Sequence, residues 1–144
     1  MLVSDIMSTE LVTCGTDASL QSAAESMLRA RVGSAIVVED GAPVGIVTET
    51  DVVHAGYATD RPFSDIPVRR VMNSPVITIQ PSRTVRAATE QMGREGVKKL
   101  VVVEDLALVG VVTAQDLVRH FGDLRSEIHH LEALRFDPES RLRE

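Results

Sequence analysis

The sequence predicts an α/β (α+β) chain built from two β-α-β-β-α repeats, followed by a short C-terminal helical tail. Three observations carry that reading. The chain matches itself at an offset of 65 residues: Met7 lies over Met72, Thr13 over Thr78, Glu25 over Glu90, Met27 over Met92 and Arg29 over Arg94. The match needs no gap and is densest where "VVEDGAPVGIVTETDVV", from Val37, lies over "VVEDLALVGVVTAQDLV", from Val102. Within each copy the apolar spacing alternates between strand-like runs and a helical period. A unit this short cannot bury an apolar face alone, so the copies are expected to pack on each other.

Each element is justified in turn. A short β segment opens each copy, "LVTC" from Leu11 and "PVITI" from Pro75. A helix follows. In the first copy Asp17 stands at the cap position, with Leu20, Ala23, Ala24, Met27 and Leu28 as its apolar stripe. In the second Ser82 stands at the cap, with Val85, Ala88 and Met92 buried and Gly93 and Gly96 near the end. Two aliphatic runs come next, "SAIVVED" and "APVGIVT", joined by Asp40-Gly41, a strong hairpin signal. The second copy has Leu106 in place of that glycine, so its turn is expected to differ. A second helix starts after Thr48 and after Thr113. The expected organisation is a first repeat over 1–57, a linker over 58–67, a second repeat over 68–122 and a tail over 123–144. In the tail Leu124, Ile128, Leu131 and Leu134 fall at helical spacing, and Pro138 should end the helix.

Composition narrows the function. With 144 residues, formal net charge −6 and 3% aromatic residues, the chain lacks the basic surface and stacking platforms of a nucleic-acid binder. A flat ligand ring would have to lie between aliphatic side chains. The lone Cys14 permits no internal disulfide and reads as a small buried hydrophobe. The N-terminus has neither the basic segment nor the apolar core of a signal peptide, and no apolar run approaches a membrane span. A soluble, cytoplasmic chain is the expectation.

The sharpest motif is Gly45-Ile46-Val47-Thr48-Glu49-Thr50-Asp51 and its echo Gly110-Val111-Val112-Thr113-Ala114-Gln115-Asp116. Both are strands that turn directly into helices. Thr followed three residues later by an acid is close to a capping box, in which the hydroxyl and the carboxylate satisfy backbone N–H groups of the first turn. The same geometry suits a ligand: a helix N-terminus favours an anion, and an acid in its first turn can accept from the vicinal hydroxyls of a ribose.

A tandem β-α-β-β-α unit ending in G-h-h-T-x-x-D, where h is aliphatic, resembles a cystathionine β-synthase (CBS) domain pair, or Bateman module. The opening "DIMS" and "RVMN" segments also match the family's pattern, and the resemblance spans about residues 3 to 122. It implies two repeats packed about a pseudo-twofold axis, with clefts that take AMP, ADP, ATP or S-adenosylmethionine. Asp51 and Asp116 match the ribose-binding acid, and Thr48 and Thr113 the residue near ribose and phosphate. The backbone around Thr13 and around Ile77-Thr78 matches the segment at the adenine edge. Gly33-Ser34 and Lys98-Lys99 precede the second strands and face the central cleft, where basic residues would meet phosphate. Strand alternation sends the two lysines to opposite sides, and Lys99 is the one expected in the cleft. The resemblance also implies a homodimer and a regulated partner protein.

Other groups are less informative. His54 and His120 lack a nucleophile or partner for catalysis and read as surface or dimer-contact residues. The adjacent His129 and His130 cannot chelate one metal from a single helix. Arg69, Arg70 and Arg83 read as solvated surface. No phosphate-binding glycine loop, nucleophile elbow or metal triad is present. The expected function is a non-enzymatic regulatory pair that binds an adenosine-containing ligand and passes its state to a partner. The alternative is a ligand-free structural module that mediates protein interaction.

Overall fold

The computed structural model describes residues 1–122 and 125. The proposed tail helix, with Leu124, Ile128, Leu131, Leu134 and Pro138, lies outside the described residues, as do His129 and His130. The elements run α1 (Val3–Ile6), β1 (Thr13–Gly15), α2 (Leu20–Ala30), β2 (Ser34–Glu39), β3 (Ala42–Thr48) and α3 (Glu49–Thr59). After two 3-10 turns, Phe63–Asp65 and Val68–Arg70, come β4 (Thr78–Ile79), α4 (Val85–Glu95), β5 (Lys99–Glu104) and β6 (Ala107–Thr113). A last helix, α5, starts at residue 114 and is described through residue 122.

Each repeat forms a three-stranded sheet, β1-β2-β3 or β4-β5-β6, in which the first pair is parallel and the second antiparallel. The aliphatic runs of β2 and β5 are continuous because both of their faces are covered. Ala35 and Val37 face the helices of their own repeat, as do Leu100 and Val102. Ile36, Val101 and Val111 face the opposite way and form the seam between the two sheets.

Helices α2 and α4 begin two residues later than the cap positions read from the sequence. Ser19, not Asp17, accepts from the Ser22 N–H at 3.1 Å, and Thr84, not Ser82, accepts from the Ala87 N–H at 3.0 Å. The apolar stripes start at Leu20 and Val85, so the cap must directly precede them. Asp17 instead pairs with Arg69 at 3.1 Å on the surface. Leu28 is 80% exposed: it lies about 80° round the helix from Leu20, off the buried stripe. The two hairpin turns do not differ. Asp105 (φ 49°) and Leu106 (φ 69°) take the same left-handed pair of conformations as Asp40 (φ 51°) and Gly41 (φ 81°). Matching ladder registers on both sides impose the turn, and Leu106 tolerates the conformation with its side chain in solvent.

The opening segments are exchanged between repeats. Val3, fully buried, belongs to the core of the second repeat, and Val68, its counterpart 65 residues on, belongs to the core of the first. The backbone follows the same rule. Val3 N–H donates to Arg83 O (2.8 Å) and Val85 N–H to Met1 O (3.0 Å); Val68 N–H donates to Ala18 O (2.9 Å) and Leu20 N–H to Ile66 O (2.7 Å). The linker is therefore more than a connection, because Phe63 and Ile66 pack into the first core.

Candidate functional site

The exchange continues into β3 and β6 and explains the first residue of each motif. Ser8 pairs with Val111 in both directions (2.8 and 3.0 Å), and Asn73 pairs with Ile46 likewise (2.8 and 3.1 Å). Those pairings lay Met7 across Gly110 and Met72 across Gly45, where a Cβ would collide with the methionine side chain. The glycines are there because a methionine from the other repeat occupies their side-chain space.

Beside each crossing lies a cleft. One, of about 440 Å³, is bounded by Ser8, Glu10 to Val12, Gly33 and Ser34, and the start of α5 with Thr113 and Asp116. The other, of about 810 Å³, is bounded by Asn73 to Ile77, Val97 and the start of α3 with Thr48 and Glu49. Lys98 and Lys99 border both. The two linings are largely pseudo-twofold mates: Ser8 answers Asn73, Val12 answers Ile77, Gly33 and Ser34 answer Lys98 and Lys99. Each cleft has an aliphatic wall from the inter-sheet seam and a polar end at a helix N-terminus, a shape suited to a flat apolar ring carrying a polar, anionic substituent.

Not every residue singled out in the sequence reaches a cleft. Thr48, Ile77, Ser34, Thr113, Asp116, Lys98 and Lys99 do. Thr13 and Thr78 do not line them; their neighbours Val12 and Ile77 do, because side chains alternate sides along an extended segment. Thr78 opens onto a separate outer cavity, and its carbonyl accepts from Gln91 Nε2 at 2.9 Å. Both lysines, not one, border the clefts: Lys99 is half-buried, and the exposed Lys98 precedes β5 and is not bound to its alternation.

Both Thr-x-x-Asp motifs form capping boxes. Thr48 N–H donates to Asp51 Oδ2 at 2.8 Å and accepts at Oγ1 from Asp51 N–H at 3.3 Å. Thr113 N–H donates to Asp116 Oδ2 at 2.9 Å and accepts at Oγ1 from Asp116 N–H at 3.1 Å. There the likeness ends. Asp51 Oδ2 also accepts from Thr48 Oγ1 (2.9 Å) and from Asn73 Nδ2 (2.9 Å), and Asp51 does not line the cleft on its side. Asp116 lines its cleft, with Arg119 at 3.8 Å from Oδ1. The sequence reading missed Asn73 and Arg119. Aligning Asn73 with Ser8 at the repeat offset would have flagged the first as a polar difference beside the motif.

Lys99 bears a desolvation cost for its charge. Its Nζ donates to Gly33 O at 3.1 Å. Half-burial pushes its pKa below the ordinary 10.5, and the carboxylates of Glu49, Asp116 and Asp51 only partly restore it. Below the lowered value the folded chain carries the full cost of the desolvated ammonium. Stability then rises as pH climbs from that value to 10.5, because the unfolded chain holds the proton more tightly. Lys99→Met is therefore expected to raise ligand-free stability at pH 7 slightly, by less than about 1 kcal/mol given solvent screening, and to flatten the alkaline rise. Urea midpoints at pH 7 and pH 10 check this; a lower midpoint at pH 7 would show that the Gly33 contact outweighs the desolvation.

Among the described residues no helix is long and apolar enough to cross a membrane, and no group of His, Cys, Asp and Glu could hold a metal ion. Burial pushes the half-buried Cys14 thiol up, as suits a packing residue.

Comparison with known proteins agrees with this architecture. The CBS domain pattern matches residues 3–58 and 68–123. The CBS domain pair of protein MJ0100, solved in complex with 5′-methylthioadenosine and S-adenosyl-L-methionine, superposes with a TM-score of 0.77 at 27% identity, covering 85% of this chain and 97% of that one. A CBS domain protein of Pyrobaculum aerophilum complexed with AMP gives 0.71 at 29% identity, covering 81% and 89%. The CBS domain-containing protein YhcV of Bacillus subtilis is 30% identical over 115 residues, 80% of this chain and 81% of that protein. The chain spans 32% of an uncharacterized Methanocaldococcus jannaschii relative and 61% of one from Methanopyrus kandleri. With both repeats matched and the paired fold reproduced, the chain belongs to the CBS domain family, as a tandem pair.

Proposed function

We propose that this chain is a non-enzymatic regulatory pair that binds an adenosine-containing ligand between its repeats and relays ligand state to a partner protein. The observation that carries the reading is the Asp116 cleft. There an aliphatic wall, a hydroxyl, a carboxylate in a helix's first turn and the cations Lys98, Lys99 and Arg119 converge within about 440 Å³. Aliphatic side chains can sandwich an adenine, a carboxylate can accept from a ribose diol, and the cations can meet a phosphate or a carboxylate. The solved relatives carrying AMP or S-adenosyl-L-methionine support the same ligand class. Ligand binding to the folded state alone must stabilise it: AMP, ATP or S-adenosylmethionine at about 100 times Kd is expected to add about 2.7 kcal/mol, read as a rise in the thermal midpoint. A panel giving neither a shift nor calorimetric heat would favour the interaction-module reading.

That second reading has its own support. Val53 and Tyr57 on α3 and Val118 and Phe121 on α5 are 64–89% exposed, an apolar array on the helices that leave the two motifs. A homodimer joined there would place a subunit contact directly behind each candidate ligand site. The two readings are compatible, since a shift at a helix N-terminus can reach a contact on the same helix.

A further inference from the structure

The two clefts carry the same motif, yet their acids are not equally available. Cationic charge does not separate them, because Lys98 and Lys99 border both and each cleft adds one arginine, Arg119 on the α5 side and Arg31 on the α3 side. Hydrogen bonding does. On the α3 side Asn73 reaches across from the second repeat and donates to Asp51 Oδ2 at 2.9 Å, the oxygen that already accepts from Thr48 N–H and Thr48 Oγ1. The Thr48 hydroxyl proton is thereby spent inside the motif, and Asp51 is withdrawn from the cavity lining. On the α5 side the residue in Asn73's place is Ser8. It makes no hydrogen bond to Asp116, and it lines the cleft together with Asp116 and Thr113. The Thr113 hydroxyl accepts from Asp116 N–H and keeps its proton for another acceptor. Asp51 Oδ1 keeps its lone pairs, but the three donors from Thr48 and Asn73 hold Oδ2 and fix the carboxylate outside the cavity lining, so a ribose diol in that cleft meets no carboxylate to donate to.

We propose that the chain binds one nucleoside ligand, in the Asp116 cleft, and that Asn73, by engaging Asp51 in place of a ribose, denies the other cleft its ribose anchor. The inference rests on the adenosine-ligand reading and adds to it which cleft is used and which residue decides. It also assigns the residue pair Ser8/Asn73 as the determinant of occupancy, outside the Gly-x-x-Thr-x-x-Asp motif itself.

The test is calorimetric titration of AMP into the full chain. Wild type is expected to bind with a stoichiometry near one. Asp116→Ala should lose binding, and Asp51→Ala should keep it with affinity changed less than about threefold, equivalent to under 1 kcal/mol. Asn73 and Ser8 are both exposed, so exchanging them leaves the cores intact. Asn73→Ser should raise the stoichiometry toward two, and Ser8→Asn should weaken binding at least tenfold. A wild-type stoichiometry of two, or loss of binding in Asp51→Ala but not in Asp116→Ala, overturns the assignment while leaving the adenosine reading standing. No heat from AMP, ATP or S-adenosylmethionine overturns both.

Discussion

Val3→Asp is expected to cost on the order of 3 kcal/mol of folding free energy, although it lies three residues into the chain, where substitutions are usually tolerated. Val3 is fully buried in the core of the second repeat, against residues such as Leu100, Val102 and Val112. The change removes about 1.5–3 kcal/mol of apolar burial and leaves a carboxyl with no partner, so the chain must bury it, protonate it or release the segment. Release also breaks the Val3–Arg83 and Met1–Val85 backbone hydrogen bonds that fasten the start of α4. Ser4→Asp, one residue on and exposed, is the control and should shift stability by less than about 0.5 kcal/mol. Urea unfolding of the two variants reads the difference. Equal midpoints would mean that the opening segment does not dock on the second repeat. Val68→Asp should behave like Val3→Asp, since it occupies the same place in the first core.

Gly110→Ala is expected to destabilise the chain by about 2 kcal/mol, and Gly45→Ala by less. At Gly110 an added Cβ would lie 2.8 Å from Met7 Sδ and 2.9 Å from Ser8 O. The methionine can rotate away, but the carbonyl is held in the paired hydrogen bonds with Val111 and cannot. At Gly45 the three nearest atoms all belong to the Met72 side chain, and the two closest, Sδ and Cγ, can swing away. A double-mutant cycle separates the cases: Met72→Ala should largely relieve Gly45→Ala, whereas Met7→Ala should relieve Gly110→Ala only in part. Equal relief in both would remove the backbone clash from the account.

The features legible in the sequence are those written in one short window or in the repeat. The paired sheets, the helix stripes, the first hairpin and the strand-to-helix motif all follow from local spacing, and the structure shows each of them. The family follows from the same windows. Four features were not legible, each for a physical reason. Caps at Ser19 and Thr84 depend on where the buried stripe starts, a fact about packing. The Leu106 turn depends on the flanking ladder, which overrides the residue's own preference. The exchange of opening segments leaves no trace in a self-alignment, because the offset of 65 is the same whichever repeat a segment docks on. The inequality of Asp51 and Asp116 is invisible for a related reason. The letters are identical, and what distinguishes them is Asn73, 22 residues from Asp51 along the chain and supplied by the other repeat.

The exchanged valines also say what the covalent join between the repeats is for. Each core is completed by a segment belonging to the other copy, so the repeats hold each other the way two clasped hands do, independent of the wrist. A nick between the exposed Asp60 and Arg61 would leave two fragments that still interlock, while either copy supplied alone would lack its own closing valine and present a vacancy shaped for the missing segment. On that expectation the joining stretch serves to set the local concentration of the two halves, while the exchanged segments hold them together.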